Sequence, residues 1–561
     1  MGIATTRYAG RIASAMGMAG HAAPSFEPGQ SVSTAGVLFI LPSLLAQGLL
    51  KTKEVYTLPE NHYYGLEAVV LTLAFMALAR IKNPEQLKQC KPGEIGKAIG
   101  LDRVPEVSCL RKKIKLLSGQ QKAQTLNRLL IEDWYRDKDG ADASFLYIDG
   151  HVRIYYGSQA NLSAKFVSRQ KLCLSATTEF WVNDSQGQPV MMVIGELSEK
   201  LQHAIEERIV PELLKTSLLK GPKGDGPACT LVFDREAWDL PFFQRLWDTY
   251  RIAIITYRKN VKDKWDPNIF ESKQVAVLNN QIDMHICEQE TVISGQPFRE
   301  IRRLTTSGHQ TSIVTNNTVT DTQTVAGKMF GRWSQENFFR YLTIDYDFDK
   351  MIEFGTEEIS PDKEVVNPEY RKLTHRIKKE REKLQRIKAR LFELAEQAME
   401  ETLEETPSLS LKQTDALEKA GLYQHEVDKL IRERKTKPPR IKLAQMGSDR
   451  RYNKLKPESK MLMNIIKMIC YRAETAVANL IDDNFMNEKR MLVKQIINTS
   501  ADLLPDQKNK TLTVRLHSLS APRFNAQAAK LAELLNQTET IFPGTDLRII
   551  YQSTAGSFYD K

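Results

Sequence analysis

Three acidic residues stand where a metal-dependent attack on a phosphodiester would need them. Asp149 ends the apolar run ASFLYIDG, Asp234 ends the strand-like run CTLVFD, and Glu336 sits within FGRWSQENFFRYL, which has helical spacing. A phosphodiester is anionic and resists attack by another anion. Two divalent ions about 4 Å apart relieve this, one activating water or a 3′-hydroxyl and the other steadying the leaving oxygen. Such hard ions take oxygen ligands, so carboxylates suit Mg²⁺ better than sulfur or imidazole. Asp149, on a central strand, would bridge both ions, with Asp234 and Glu336 completing one shell each. An Asp that merely ends a strand is common. The ordered set, an Asp in a hairpin, an Asp after a strand and a Glu on a later helix, is the more specific signal.

Other residues compete or assist. Arg332 and Arg340 lie four residues before and after Glu336, which puts all three on one helical face. They either pair with Glu336 or hold a DNA phosphate beside the metals. Trp333 either stacks on an unpaired base or packs in the core. His151, two residues after Asp149, shares its strand face and serves substrate or packing. Asp345, Asp347 and Asp349 in TIDYDFDK, and Glu236 and Asp239 beside Asp234, are alternative acids for metal or structural roles.

These residues need elements to carry them. A chain of 561 residues is too long for one hydrophobic core, so three or four domains are expected. Apolar content of 42% and charged content of 26% are those of a soluble globular protein. Lys and Arg outnumber Asp and Glu by 79 to 69, a modest excess that suits a polyanionic partner. The six cysteines form no C-x-x-C pair and read as free thiols in a reducing compartment. The apolar stretches 36–50 and 66–81 are too short or too interrupted to span a bilayer and are expected as buried helices. No membrane association is expected.

Residues 1–33 predict a flexible arm rich in Gly, Ala and Ser. Residues 34–135 predict a helical DNA-binding domain, broken at Pro42, Pro59, Pro84 and Pro105. Within it, Ser108 is placed to cap a helix, and Arg111, Lys112 and Lys113 would face DNA from it or form a solvated face. Residues 142–259 and 311–355 predict a mixed α/β sheet with helices on its faces. In it, FLYID and VRIYY form a hairpin turning at Gly150, LCLSATTEFWVND and PVMMVIG add strands, and GPKGDGPA is a loop. Residues 260–310 predict an inserted β-rich subdomain.

Leu373, Ile377, Leu384, Ile387, Leu391 and Leu394 then mark a long basic amphipathic helix over 368–400. Residues 371–390 hold ten Lys or Arg and two Glu, a solvated face or a DNA contact. An acidic, Pro-containing linker follows near 400–407. Residues 401–561 predict a C-terminal helical domain for DNA contact or dimerisation, with the basic run RERKTKPPRIK and a core helix at 458–481.

At these residues the chain resembles the DDE transposases of bacterial insertion sequences, and within them the IS4-like group, whose RNase H-like, retroviral integrase-like catalytic domain carries a β-strand insertion. The resemblance rests on YIDGHVRIYYG, LVFDREAWDLPFF and GRWSQENFFRYL. It extends through IGLDRVPEVSCLRKKI, LKPESKMLMNIIKMICYRAE and VRLHSLSAPRFNAQAAKLAELLNQTETIFPGTDLRIIYQ, to cover about residues 35–555. It implies a catalytic triad of Asp149, Asp234 and Glu336 holding two Mg²⁺ ions, for which Mn²⁺ can substitute. It also implies cleavage at transposon ends and joining of the 3′-hydroxyls to target DNA. The partners implied are double-stranded DNA, as inverted repeats and target, and a second copy of the chain, and the location is the bacterial cytoplasm at the nucleoid. The group's signature runs Tyr, two residues, Arg, three residues, Glu, six residues, Lys. Arg332 and Glu336 match it, while Met329 and Thr343 stand at the Tyr and Lys positions. The alternatives are another nuclease or resolvase of the same fold, and a relative that binds DNA without cutting it.

Overall fold

A computed structural model describes residues 7–90, 92–136, 145–167, 170–197, 199–219, 226–278, 280–346, 355–401, 411–447, 451–485 and 488–554; the side chains of 30, 92, 333–336 and 397–401 fall outside this set. The chain divides into two units. One comprises Met1–Tyr156, Ala164–Gly355 and Leu455–Lys561, and the other Gly157–Ser163 with Thr356–Lys454.

In the larger unit the N-terminal segment holds a helix, Tyr8–Ala15, and a strand, β1 (Gly29–Val32). Helices follow through 34–135, among them Leu66–Leu78, Val107–Ser118 and Ala123–Tyr135. The main sheet has β2 (Phe145–Ile154), β3 (Ala164–Val167), β4 (Leu172–Asn183), β5 (Pro189–Ile194), β6 (Cys229–Phe233), β7 (Ile252–Tyr257), β8 (Glu271–Val277), β9 (Asn280–Ile293), β10 (Gln296–Leu304) and β11 (Gln310–Thr315). Its order is β3-β4-β2-β6-β7-β11-β10-β9-β8, with β5 on β4. The pairs β2–β6 and β6–β7 are parallel. All others are antiparallel. The architecture is therefore α/β, a large mixed sheet flanked by helical regions.

The central strands read as unbroken apolar runs because both their faces are covered. Leu146, Ile148, Leu231 and Phe233 face the large core with the Leu240–Tyr250 helix. Phe145, Tyr147, Val232 and Ile255 alternate with them onto a second core, closed by Val325, Ala326 and Met329 of the Thr322–Phe330 helix. Strands β8–β10, expected as an inserted subdomain, join the main sheet edge to edge through β11 and supply Val275, Val277 and Met284 to the second core. Gly327 lets the helix lie on β8, since a Cβ there would stand 2.3 Å from the Ala276 carbonyl oxygen.

The hairpin expected at Gly150 is not formed. Residues 145–154 are one straight strand, and the antiparallel partner of β2 is β4, with Gly150 opposite Phe180. The glycine serves close packing and not a turn: a Cβ would meet the Phe180 ring at 3.3 Å.

The Glu458–Asn479 helix is buried along most of its length, as its all-round apolar sequence predicts. The region after it, expected as helical, also holds strands. β16 (Ala501–Asp506), β17 (Thr511–Leu516) and β18 (Arg548–Ser553) form a second sheet in the order β1-β16-β17-β18. Their short alternating patterns, such as TLTVRL, are half-buried strands whose signal is weak beside the longer helices.

The smaller unit is an antiparallel helical hairpin, Pro368–Glu401 and Leu411–Lys435. Around it, β12 (Thr356–Glu358) pairs with β15 (Asn453–Leu455), and β13 (Glu364–Val366) with β14 (Arg440–Lys442). The expected linker near 400–407 lies largely outside the described residues, as does most of the 221–228 loop. All six cysteines are free thiols. Among the described residues no single helix is long and apolar enough to cross a membrane; Ala35–Ala46 and Leu49–Val55 pass such a test only as a pair bent by 63°.

Candidate functional site

The parallel register of β2 and β6 ends at Ile148 opposite Phe233. The next residue on each strand is an aspartate. Asp149 and Asp234 therefore emerge beside one another where the parallel pairing of β2 and β6 stops, at the carboxyl end of β6 and midway along β2. Beyond this point β6 turns away, and Asp234 accepts a 2.7 Å hydrogen bond from the Arg235 N–H at the start of a short helical turn. β2 continues along β4 alone.

The Asp149 carboxylate accepts from the Gly150 N–H at 2.8 Å and from Arg332 Nη1 at 3.3 Å. It stays 23% exposed, enough for a ligand to reach it. Burial holds its carboxyl above the usual carboxylate range, Arg332 and the Gly150 N–H pull the other way, and the charges of Asp234 and Glu236 add to the rise. A partly enclosed carboxylate with other acids beside it is a place where a cation is favoured.

The Trp333–Tyr346 helix packs on β2 and carries the Glu336 backbone. Phe338 and Phe339 meet Trp181 at 5.6 and 6.4 Å, and Phe339 stacks on His151 at 5.4 Å. Its C-terminal half is tied by Glu474, a fully buried carboxylate of the Glu458–Asn479 helix. Glu474 accepts from the hydroxyls of Tyr341 and Tyr346, the latter at 2.5 Å, and from Arg80 at 2.9 Å. Packing and a buried charge thus fix the helix that carries Glu336 against β2. The side chains of Glu336 and Trp333 lie outside the described residues.

Other expected residues fall in various places. Arg332 precedes the helix instead of lying within it, and its described partner is Asp149. Arg340 is exposed. His151 is buried and packs on Phe339. Asp345 pairs with Arg80 at 3.3 Å and Lys494 at 2.6 Å, a structural role; Asp347 and Asp349 lie outside the described residues. Glu236 is exposed close to Asp149, and Asp239 starts the Leu240–Tyr250 helix. On the Val107–Ser118 helix the three cations do not form one open face. Arg111 pairs with Glu85, Lys112 is exposed, and Lys113 is buried with its ammonium unbonded among the described residues. Met329 is fully buried in the second core. Among the described residues no group of three His, Cys, Asp or Glu side chains is arranged to hold a metal ion.

The sequence reading missed two features behind the site. Glu179, fully buried on the Asp149 face of the sheet, binds Arg153 at 2.7 Å and accepts from Trp181 Nε1 at 3.3 Å. Its only sequence signal is a charge inside the strand run TTEFW. Lys165 on β3 donates to the Thr178 hydroxyl, and burial pushes its ammonium down to about 8 against the charges of Glu199 and Glu236.

None of the curated proteins matches the chain. A family model described as "Transposase protein" matches residues 2–555, so nearly the whole chain, site and flanks together, belongs to this transposase family.

Proposed function

We propose that the protein is a DNA transposase of the DDE type, built on an RNase H-like core, that cuts at transposon ends and joins them to target DNA. The observation that carries this reading is the placement of Asp149 and Asp234 side by side where the parallel pairing of β2 and β6 stops, with the helix that carries Glu336 packed against β2. The donor set is all oxygen and fits Mg²⁺ or Mn²⁺, and Asp149 already holds a cationic partner in Arg332. Asp149, Asp234 and Glu336 would hold the ions. When bound, they would supply an activated nucleophile and a stabilised leaving oxygen.

The chain's own groups do the rest. The Gly150 N–H fixes the orientation of the Asp149 carboxylate. Arg332 offers a guanidinium at the same recess, able to pass from Asp149 to a phosphate as substrate enters. His151 and Phe339 hold the helix to the strand. Action at two transposon ends calls for at least two copies of the chain, with the Pro368–Glu401 helix one candidate interface.

A second reading is a transposase-family protein that binds and organises DNA without cutting it. It is favoured by the absence, among the described residues, of a three-member metal group. One experiment separates the two. The purified protein is incubated with duplexes carrying the inverted repeats that flank its gene, with Mg²⁺, Mn²⁺, Ca²⁺ or a chelator. The first reading expects nicking in Mg²⁺ and Mn²⁺, binding with little cutting in Ca²⁺, and no cutting with the chelator. Binding without cutting in every arm would establish the second.

A further inference from the structure

The helical hairpin of the smaller unit carries a charge distribution that its own packing does not use. Its seam is apolar: Leu373 and Ile377 meet Leu430 and Ile431. Arg376 pairs across the seam with Glu426 at 3.4 Å, and Lys383 lies over the Tyr423 ring at 5.6 Å. On the first helix, Glu380 is taken by Lys383 and Glu382 by Lys378. Within 371–390 seven cations remain, Arg371, Lys372, Lys379, Arg381, Arg386, Lys388 and Arg390, and four of them, Lys372, Lys379, Arg386 and Arg390, share one flank. All four are exposed, and none has an ion-pair partner among the described residues.

Their spacing is regular. Steps of seven, seven and four residues keep them within about 40° of one another around the helix and spread them along about 27 Å of its axis. Lys372–Arg376, Lys379–Lys383 and Arg386–Arg390 are like-charge pairs four residues apart, an arrangement that destabilises an isolated helix. A surface helix normally interleaves acids. This one concentrates them elsewhere: residues 371–390 hold ten Lys or Arg against two Glu, and 432–442 six against one, whereas 391–428 hold ten acids against two lysines. Along the chain the cations thus gather on the first helix and the acids in the segments after it.

We propose that the Lys372–Lys379–Arg386–Arg390 flank is a seat for the backbone of double-stranded DNA, held through phosphates and without regard to sequence. A duplex presents a phosphate charge every ~1.7 Å of its axis, so a rigid row of this length meets many, and each neutralised phosphate releases counterions. This rests on the function proposed above only in taking DNA as the substrate.

The test uses the full-length protein and a fluorescein-labelled ~40-bp duplex of arbitrary sequence, titrated over a range of salt. The quadruple variant K372E/K379E/R386E/R390E is compared with a control on the second helix, K412E/K419E, and helicity is checked by circular dichroism. The flank variant is expected to bind at least ~30-fold more weakly near 100 mM salt. Its slope of log K against log salt should be shallower by about 2–4, at ~0.9 per lost phosphate contact. The Gln series at the same four positions should lose less, and the control less than about twofold. Unchanged affinity and slope in a variant that keeps its helicity would overturn the proposal. So would loss of self-association in ultracentrifugation with duplex binding intact, which would make the flank a contact between copies of the chain. Cleavage is read in parallel. Flank variants that bind as the wild type does, from a protein that still cuts, sink this inference alone. An Asp149→Ala protein that cuts normally sinks only the proposed active site.

Discussion

The sheet end around Asp149 and the shaft of the helical hairpin treat charge in opposite ways. At the sheet end, the charges of Asp149 and of the acids behind it are partly or fully buried and paired. Asp149 has Arg332 and a backbone N–H, and Glu474 and Glu179 behind it are fully enclosed with their partners. On the shaft, cations are plentiful, exposed and largely unpaired. Buried pairs fix geometry to fractions of an ångström, which chemistry needs. Exposed cations hold a polyanion with many weak, interchangeable contacts, which binding needs. The difference teaches that, on the function proposed, reaction and grip would fall to separate parts of the chain, so they should fail separately.

The largest effect should come from the acids. Asp149→Ala and Asp234→Ala should lower cleavage by at least ~10³-fold, more than 4 kcal/mol of barrier. Their affinity for a labelled duplex should stay within about twofold, because the grip lies elsewhere. Single-turnover gels and anisotropy on the same preparations measure both. A parallel loss of binding would break the separation.

Next in size is the buried anchor. Glu474→Ala leaves Arg80 facing a void and removes the acceptor for two tyrosine hydroxyls, so urea denaturation should show a loss of about 3–5 kcal/mol. Glu474→Gln keeps an acceptor and should lose less. If neither variant shifts the midpoint, the Trp333–Tyr346 helix is held by its phenylalanines alone. No charge on the shaft should approach this value, since exposed pairs contribute at most about 1 kcal/mol.

Arg332 sharpens the contrast, because it is a cation at the sheet end. Arg332→Ala should slow cleavage about tenfold, or 1.4 kcal/mol, with duplex affinity nearly unchanged. If affinity falls and the single-turnover rate at saturating enzyme does not, Arg332 belongs with the gripping residues. If neither moves, its contact with Asp149 is a plain ion pair.

How much of this was legible beforehand depends on the range of the signal. Asp149 and Asp234 could be picked out because each closes an apolar run, a local pattern. Their adjacency could not, since it depends on β2 and β6 pairing in parallel across more than eighty residues. Gly150 misled because a glycine between two apolar runs has the look of a turn. Only the Phe180 ring across the sheet explains it. The long basic helix was plain from its heptad-like spacing. The anchor at Glu474 was invisible: one acid in an apolar helix says nothing of Arg80, Tyr341 and Tyr346, which come from distant segments. The second sheet was missed because its strands are short and its first member comes from residues 29–32.

The smallest predicted effect tests the sheet end by its stability. Burial raises the Asp149 carboxyl above its usual range even with Arg332 pulling against it. An acid with a raised folded value binds its proton more tightly when folded. Its contribution to stability is therefore fully present below the unfolded value of about 3.9, and is lost as pH rises through the folded one. At neutral pH the ionised carboxylate is thus a net liability to the fold, as expected if the proposed site needs its charge. Asp149→Asn should accordingly stabilise the protein near pH 7.5, by something on the order of 0.5 kcal/mol, while abolishing cleavage. The gain should shrink as pH is lowered toward 4, where the native carboxyl takes up its own proton. Urea midpoints of both proteins at the two pH values measure it. A loss of stability at pH 7.5 would mean that the Arg332 contact outweighs the burial, and that this end of the sheet, like Glu474, is tuned for structure before chemistry.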